Sequence, residues 1–300
     1  AGSKPQPGPP LESPPGTGPD MTWLRNLPLA PAERSRILAD YGENIGRLLS
    51  VLREKGIEPV VLLPASDPWA PPFASSAAIH GKGRTSEARE ALGRGDFEAA
   101  LEGFRRALRD APGDAFAAWG AGTALEFLSR RGEARPILVE ARDLDAAPLR
   151  VGATQARVLR KACSRLGISL SDAHVEALEW GPEGGPRSFV DPIHPTRAGQ
   201  REVARAAFEA LLAAGILRDL PEERREAVRR ALREEADPPG EEEGIRASGD
   251  LFSGYLYLLL GNTQAGVDRL ERAQRGGRDE ERTRRLLETG RRLLRERGGA

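Results

Sequence analysis

A 34-residue recurrence of small and large apolar residues constrains this chain more than any other feature. Ala134, Leu138 and Ala141 answer Ala100, Phe104 and Ala107 position by position, each 34 residues on. Within the first unit, Gly95, Phe97, Ala100, Phe104, Ala107 and Pro112 fall at spacings of two, three, four, three and five, a helical cadence. Gly122 and Leu125 belong to the second unit. Gly254, Tyr257, Gly261, Gly266, Leu270 and Ala273 repeat the register of Gly122 through Ala141 near the C-terminus. Paired helices with small residues at the close crossings satisfy this pattern. Two such units are fewer than usually stand alone, so they should lean on a neighbouring fold.

The period and the small residues resemble the tetratricopeptide repeat, with the first helix of the first unit degenerate. Around the repeats runs a different cadence. Pro31 opens a helix in which Ile37, Tyr41, Ile45, Leu48, Leu49 and Leu52 share one face, and Gly56 closes it. The apolar run Ile57–Pro64 then reads as a strand buried on both faces, as in a parallel sheet. Helix Leu149–Leu166, Gly167 and the run Ile168–Asp172 repeat that order, so the repeats read as an insertion between two strands of one sheet. The loop after the first strand, Ala65–His80, lies where open α/β sheets place ligands.

Five segments follow from this: a disordered linker (1–20), an α/β segment (21–84), a helical insertion (85–148), a second α/β segment (149–217) and a C-terminal helical region (218–300). The linker assignment rests on seven prolines and four glycines in its twenty residues, a composition that buries too little to order itself. Lys and Arg total 45 and Asp and Glu total 45, a balance that excludes a globally basic nucleic-acid binder. No apolar stretch is long enough to span a membrane, and the lone Cys163 excludes an internal disulfide. The Arg-rich helix 280–297 reads as a solvated face with Glu partners.

Of three histidines, His80 and His174 read as loop or helix-start residues. His194 stands in Asp191-Pro-Ile-His194-Pro-Thr196-Arg-Ala-Gly199, between a loop and an amphipathic helix. A carboxylate three residues before a histidine, in a proline-stiffened turn, can fold back on the imidazole Nδ1–H. It then fixes the tautomer and stabilises the imidazolium of a general base.

This phrase resembles the last motif block of the SGNH (GDSL-type) hydrolases, and more closely the bacterial subgroup with inserted tetratricopeptide repeats. Tyr41–Ile45, Val60–Leu63, Pro68–Ser75 and Ala141–Arg150 also match that pattern, which covers about residues 21–217. The resemblance implies an α/β fold, a three-layer α/β/α flavodoxin-like sandwich. It also implies ester hydrolysis with His194 as base and Asp191 as its orienter, and no cofactor or metal. The family's nucleophile segment is missing: Gly249-Asp250 is followed by Leu251, not Ser. Gly42-Glu-Asn44 imitates an oxyanion block but falls inside a helix, and Ser66 reads as a turn residue.

The expectation is therefore the C-terminal part of a serine ester hydrolase that begins before Ala1, inactive by itself, with a carbohydrate O-acyl ester as an analogy-based substrate. The alternative is a decayed hydrolase half whose repeats bind a protein or peptide partner. No nucleic-acid partner is expected.

Overall fold

The computed structural model describes residues 31–74, 85–180, 188–234, 241–259, 262–277 and 280–298. The 1–20 linker, His80, Gly261 and the loop around Gly184 lie outside the described residues. Among the described residues the chain is α-rich, with twelve helices and one two-stranded parallel sheet.

Helix α1 (Pro31–Glu54) leads through Gly56 to strand β1 (Val60–Leu62). Strand β2 (Ser169–Ser171) pairs with β1 in parallel, Val60 opposite Ser169 and Leu62 opposite Ser171. Between the paired strands lie α2 (Ser86–Gly93), α3 (Phe97–Asp110), α4 (Ala115–Phe127), α5 (Arg131–Leu144) and α6 (Ala153–Leu166). After β2 come α7 (Ala173–Trp180), α8 (Arg197–Ala213), α9 (Glu222–Glu234), α10 (Glu241–Leu259), α11 (Thr263–Arg275) and α12 (Glu280–Gly298).

Helices α1 and α6 pack on each other through Leu49, Ala156, Leu159 and Cys163, with Val61 and Leu170 at the margin of that cluster. Helix α8 lies along both strands. The strands differ from the sequence expectation in length and burial. Each has three residues, and all six are half-buried rather than buried on both faces. Among the described residues each strand has one partner, and Ile57 just before β1 is 52% exposed.

The helical units follow the recurrence. Asp96 and Asp114 cap α3 and α4 by accepting backbone N–H bonds. Ala100, Phe104, Ala107, Leu125 and Leu138 are buried between α3, α4 and α5. A side chain at Gly122 would meet Leu138 Cγ at 2.7 Å, and one at Gly254 would meet Leu270 Cγ at 2.7 Å. The register-equivalent residues thus form the same close crossing in both units, where only hydrogen fits. Helix α2, the degenerate one, has eight residues. In α12, Arg285 pairs with Glu281, and Arg291 reaches back to Glu271 of α11.

All these parts meet at the loop 66–74 that follows β1. Arg150 Nη1 donates to the carbonyls of Asp67 at 3.0 Å and Ala70 at 2.7 Å, while Nη2 reaches Asp145 at 3.2 Å. The Asp145 carboxylate accepts the backbone N–H groups of Phe73, Ala74 and Ala147. Burial pushes the Asp145 carboxyl upward, and Arg150 and those three N–H groups pull it back down. Trp119 of α4 donates to the Trp69 carbonyl at 2.8 Å, and Tyr257 of α10 donates to that of Pro71 at 2.8 Å. Phe73, fully buried, stacks on Tyr257 with ring centroids 4.7 Å apart. Both helical units are therefore fastened to one loop.

Removing one member of a buried ion pair strands the other charge, at a cost of about 3–5 kcal/mol. Asp145→Ala is expected to lower unfolding stability by that amount in urea titration. A loss below about 1 kcal/mol would show that Arg150 finds another partner.

Candidate functional site

The sequence segment around His194 folds into a small hairpin. Phe189 and Pro195 form an antiparallel bridge, Val190 N–H donates to the His194 carbonyl at 2.9 Å, and Thr196 N–H donates to Ser188 at 2.8 Å. Thr196 then caps α8 by accepting from Gly199 N–H. Prolines at 192 and 195 cost no hydrogen bonds in this turn, where their absent N–H groups are not needed.

Asp191 occupies the inside of the hairpin at 4% exposure. Its Oδ1 accepts the backbone N–H groups of Ile193 and His194 at 2.9 and 2.8 Å, and its Oδ2 lies 2.7 Å from His194 Nδ1. A carboxylate can only accept, so Nδ1 carries the proton and Nε2 presents a lone pair. The imidazole side chain is 59% exposed, and its Nε2 has no hydrogen-bond partner among the described residues. The Asp191 hydrogen bond raises the His194 pKa, against a smaller downward pull from burial. The arrangement is a base with one nitrogen oriented and the other open.

Two neighbours hold the hairpin in place. Asp67 N–H, just past β1, donates to the Pro192 carbonyl at 2.9 Å. Gly249 of α10 sits so close that a side chain there would meet the Val190 carbonyl oxygen at 2.7 Å. The Gly249-Asp250 dipeptide thus has a packing role. Asp250 itself accepts from Arg269 at 2.9 Å and Arg272 at 3.2 Å.

The other residues weighed from sequence are placed elsewhere. His174 begins α7 and is buried, with its Nδ1 unpartnered; burial lowers its pKa while a hydrogen bond to the Leu63 backbone raises it. Gly42 lies within α1 facing Val158 of α6, a close helix contact and not an anion site. Ser66 is buried, its Oγ accepting from Arg142 at 3.2 Å and its N–H donating to Glu179 at 3.0 Å. Its hydroxyl therefore serves the buried Arg142–Glu179 pair, itself at 2.9 Å.

Sequence reasoning placed Asp67 and the Ala141–Arg150 phrase but missed that Asp67, Arg142, Asp145, Arg150 and Glu179 are buried and support this region. The available signal was charge set among Ala and Leu in Ala141–Arg150, where a solvated face would not need it. Among the described residues no cluster of His, Cys, Asp and Glu is arranged to hold a metal ion, and no helix is long and apolar enough to cross a membrane. Compared with family models, curated proteins and solved structures, the chain matches none.

The sign of the His194 shift gives a direct test. Its raised folded-state pKa means that the Asp191 pair stabilises the fold fully below the unfolded value near 6.5. That contribution fades as pH rises through the folded value. In Asp191→Asn the imidazole resonances are expected to titrate at lower pH than in the parent chain. An unchanged NMR titration midpoint would mean that Asp191 does not hold the proton on Nδ1.

Proposed function

We propose that this chain carries the base-and-orienter half of an SGNH-type serine ester hydrolase, within a three-layer flavodoxin-like domain interrupted by tetratricopeptide-type repeats. The observation that carries the reading is the buried Asp191 carboxylate bonded to His194 Nδ1 while Nε2 stays open. The helix–strand order around the paired strands and the position of the dyad just before α8 support it.

In this reading a serine hydroxyl outside these 300 residues approaches Nε2. The imidazole takes its proton as the oxygen attacks the ester carbonyl, and Asp191 stabilises the imidazolium. The proton then passes from Nε2 to the departing alkoxide, releasing the alcohol and leaving an acyl-serine. Water, deprotonated by the same nitrogen, breaks that ester and regenerates the serine. An O-acyl ester on a carbohydrate is the proposed substrate class. The half-buried strands, each with a single partner among the described residues, suit a sheet that continues into the segment bearing the serine.

The test uses a full-length protein that includes the serine segment, assayed on p-nitrophenyl acetate. His194→Ala is expected to reduce turnover by about a thousandfold or more, with unchanged circular dichroism. The 300-residue chain alone is expected to give no turnover above a free-imidazole control. Retained turnover in the full-length variant would overturn the assignment.

A further inference from the structure

Helix α7 is fastened to the sheet by a histidine that the dyad does not use. His174 lies in the first turn of α7 and is 1% exposed. One ring nitrogen is hydrogen-bonded to the backbone of Leu63, directly after β1. The Leu63 N–H is already given to the Ser171 carbonyl at 3.0 Å, so the Leu63 carbonyl is the acceptor and the imidazole donates. The other nitrogen, Nδ1, is buried without a partner among the described residues. The donor is therefore Nε2, and Nδ1 of the neutral ring carries a bare lone pair.

A proton arriving at Nδ1 turns that lone pair into a buried N–H that lacks an acceptor. The carboxylates around the ring are committed to other cations. Asp172, just past β2, is paired with Arg160 of α6 at 2.8 Å, and Glu202 of α8 is paired with Arg205 at 2.8 Å. On α7 itself, Glu176 pairs with Arg135 and Glu179 with Arg142, both from α5. The N-terminal turn of a helix also disfavours a cation. Burial lowers the His174 pKa and Arg205 adds to that pull, while the Leu63 bond, Asp172 and Glu202 offset it only in part. An imidazolium in this place regains hydrogen bonds by moving out to water.

The contacts that α7 makes give its release a consequence. Glu179 accepts from Ser66 N–H at 3.0 Å and from Arg142 at 2.9 Å. The Trp180 ring meets Trp69 edge-on, with centroids 5.7 Å apart. Both contacts steady the loop after β1, and Asp67 of that loop holds the Pro192 carbonyl of the His194 hairpin.

We propose that His174 is a proton-operated latch: while neutral it pins α7 to the end of β1, and on taking a proton at Nδ1 it releases α7 and loosens loop 66–74. The latch stands independently of the ester hydrolase reading, because it concerns packing only.

The test is made on the 300-residue chain by NMR, from about pH 8 to about pH 5. The His174 imidazole is expected to titrate below about 6.5, with its neutral form protonated on Nε2. Amide exchange at Leu178, Glu179 and Asp67, corrected for its intrinsic pH dependence, is expected to quicken as pH falls below about 6.5. The limit is about tenfold per pH unit, set by uptake of one proton, and the rise levels off where the folded imidazole titrates. Exchange in α4 is expected to stay unchanged. His194 has a raised pKa and shifts stability in the opposite direction, so it does not imitate this effect. His174→Gln keeps a donor for the Leu63 carbonyl but takes no proton, and it is expected to abolish the acceleration. Should that variant not fold, the parent chain decides, through agreement between the His174 midpoint and the levelling of exchange. A His174 midpoint at or above its unfolded value, exchange in α7 or at Asp67 that is flat with pH, levelling unrelated to the His174 midpoint, or acceleration that persists in His174→Gln would each overturn the proposal.

Discussion

The ion pair between Arg150 and Asp145 is the constraint on which the rest of this structure depends. Both side chains are buried, and apart from their contact with each other most of their hydrogen bonds go to the backbone of loop 66–74. A buried pair of this kind adds little net stability over a well-packed apolar substitute, yet it tolerates few alternative geometries. The loop is irregular, so its N–H and C=O groups have no ladder partners and need specific ones. Arg150 and Asp145 supply them. Once the loop is fixed, its free carbonyls at Trp69, Pro71 and Pro72 become docking points for Trp119, Tyr257 and Asn262.

This explains how helical units far apart in sequence sit beside the same small sheet. Neither α2–α5 nor α10–α12 contributes a strand; α2–α5 is joined to the loop through Trp119 and Trp69, and α10–α12 through Tyr257, Asn262 and Phe73. The segment between Leu144 and Ala153 matters as much as the helices it joins. Arg34 from α1 adds a third anchor by donating to the Asp145 carbonyl at 3.0 Å.

What was legible in the sequence was periodic or punctuated. The recurrence of Ala100, Phe104 and Ala107 at Ala134, Leu138 and Ala141 reports helix crossings, because close packing admits few residue types at a crossing. Gly56 and Gly167 mark helix ends through their left-handed backbone, and Thr196 before Arg197 marks a helix start. The contact between Asp191 and His194 was legible because it is local, three residues apart in a stiff turn. The partial exposure of β1 was not, since hydrophobicity reports what a strand would bury and not how many strands flank it. Equally hidden were the pairs Arg150 with Asp67, and Arg142 with Ser66, whose members are separated by most of an inserted unit. No periodicity encodes such contacts.

The dyad and a cavity between the two helical units also share a mechanical link. Asp67 donates its backbone N–H to Pro192 in the hairpin, and its carbonyl accepts from Arg150. Its carboxyl accepts from Trp69 N–H and borders the cavity. Gly249 brings α10 against Val190 on the other side, and one residue later Asp250 organises Arg269 and Arg272. Two of the residues that line the cavity between the helical units, Asp67 and Asp250, thus make or directly follow a contact that positions the His194 hairpin. Interiors packed this closely do not deform freely, so the geometry of loop 66–74 sets the cavity and the dyad together.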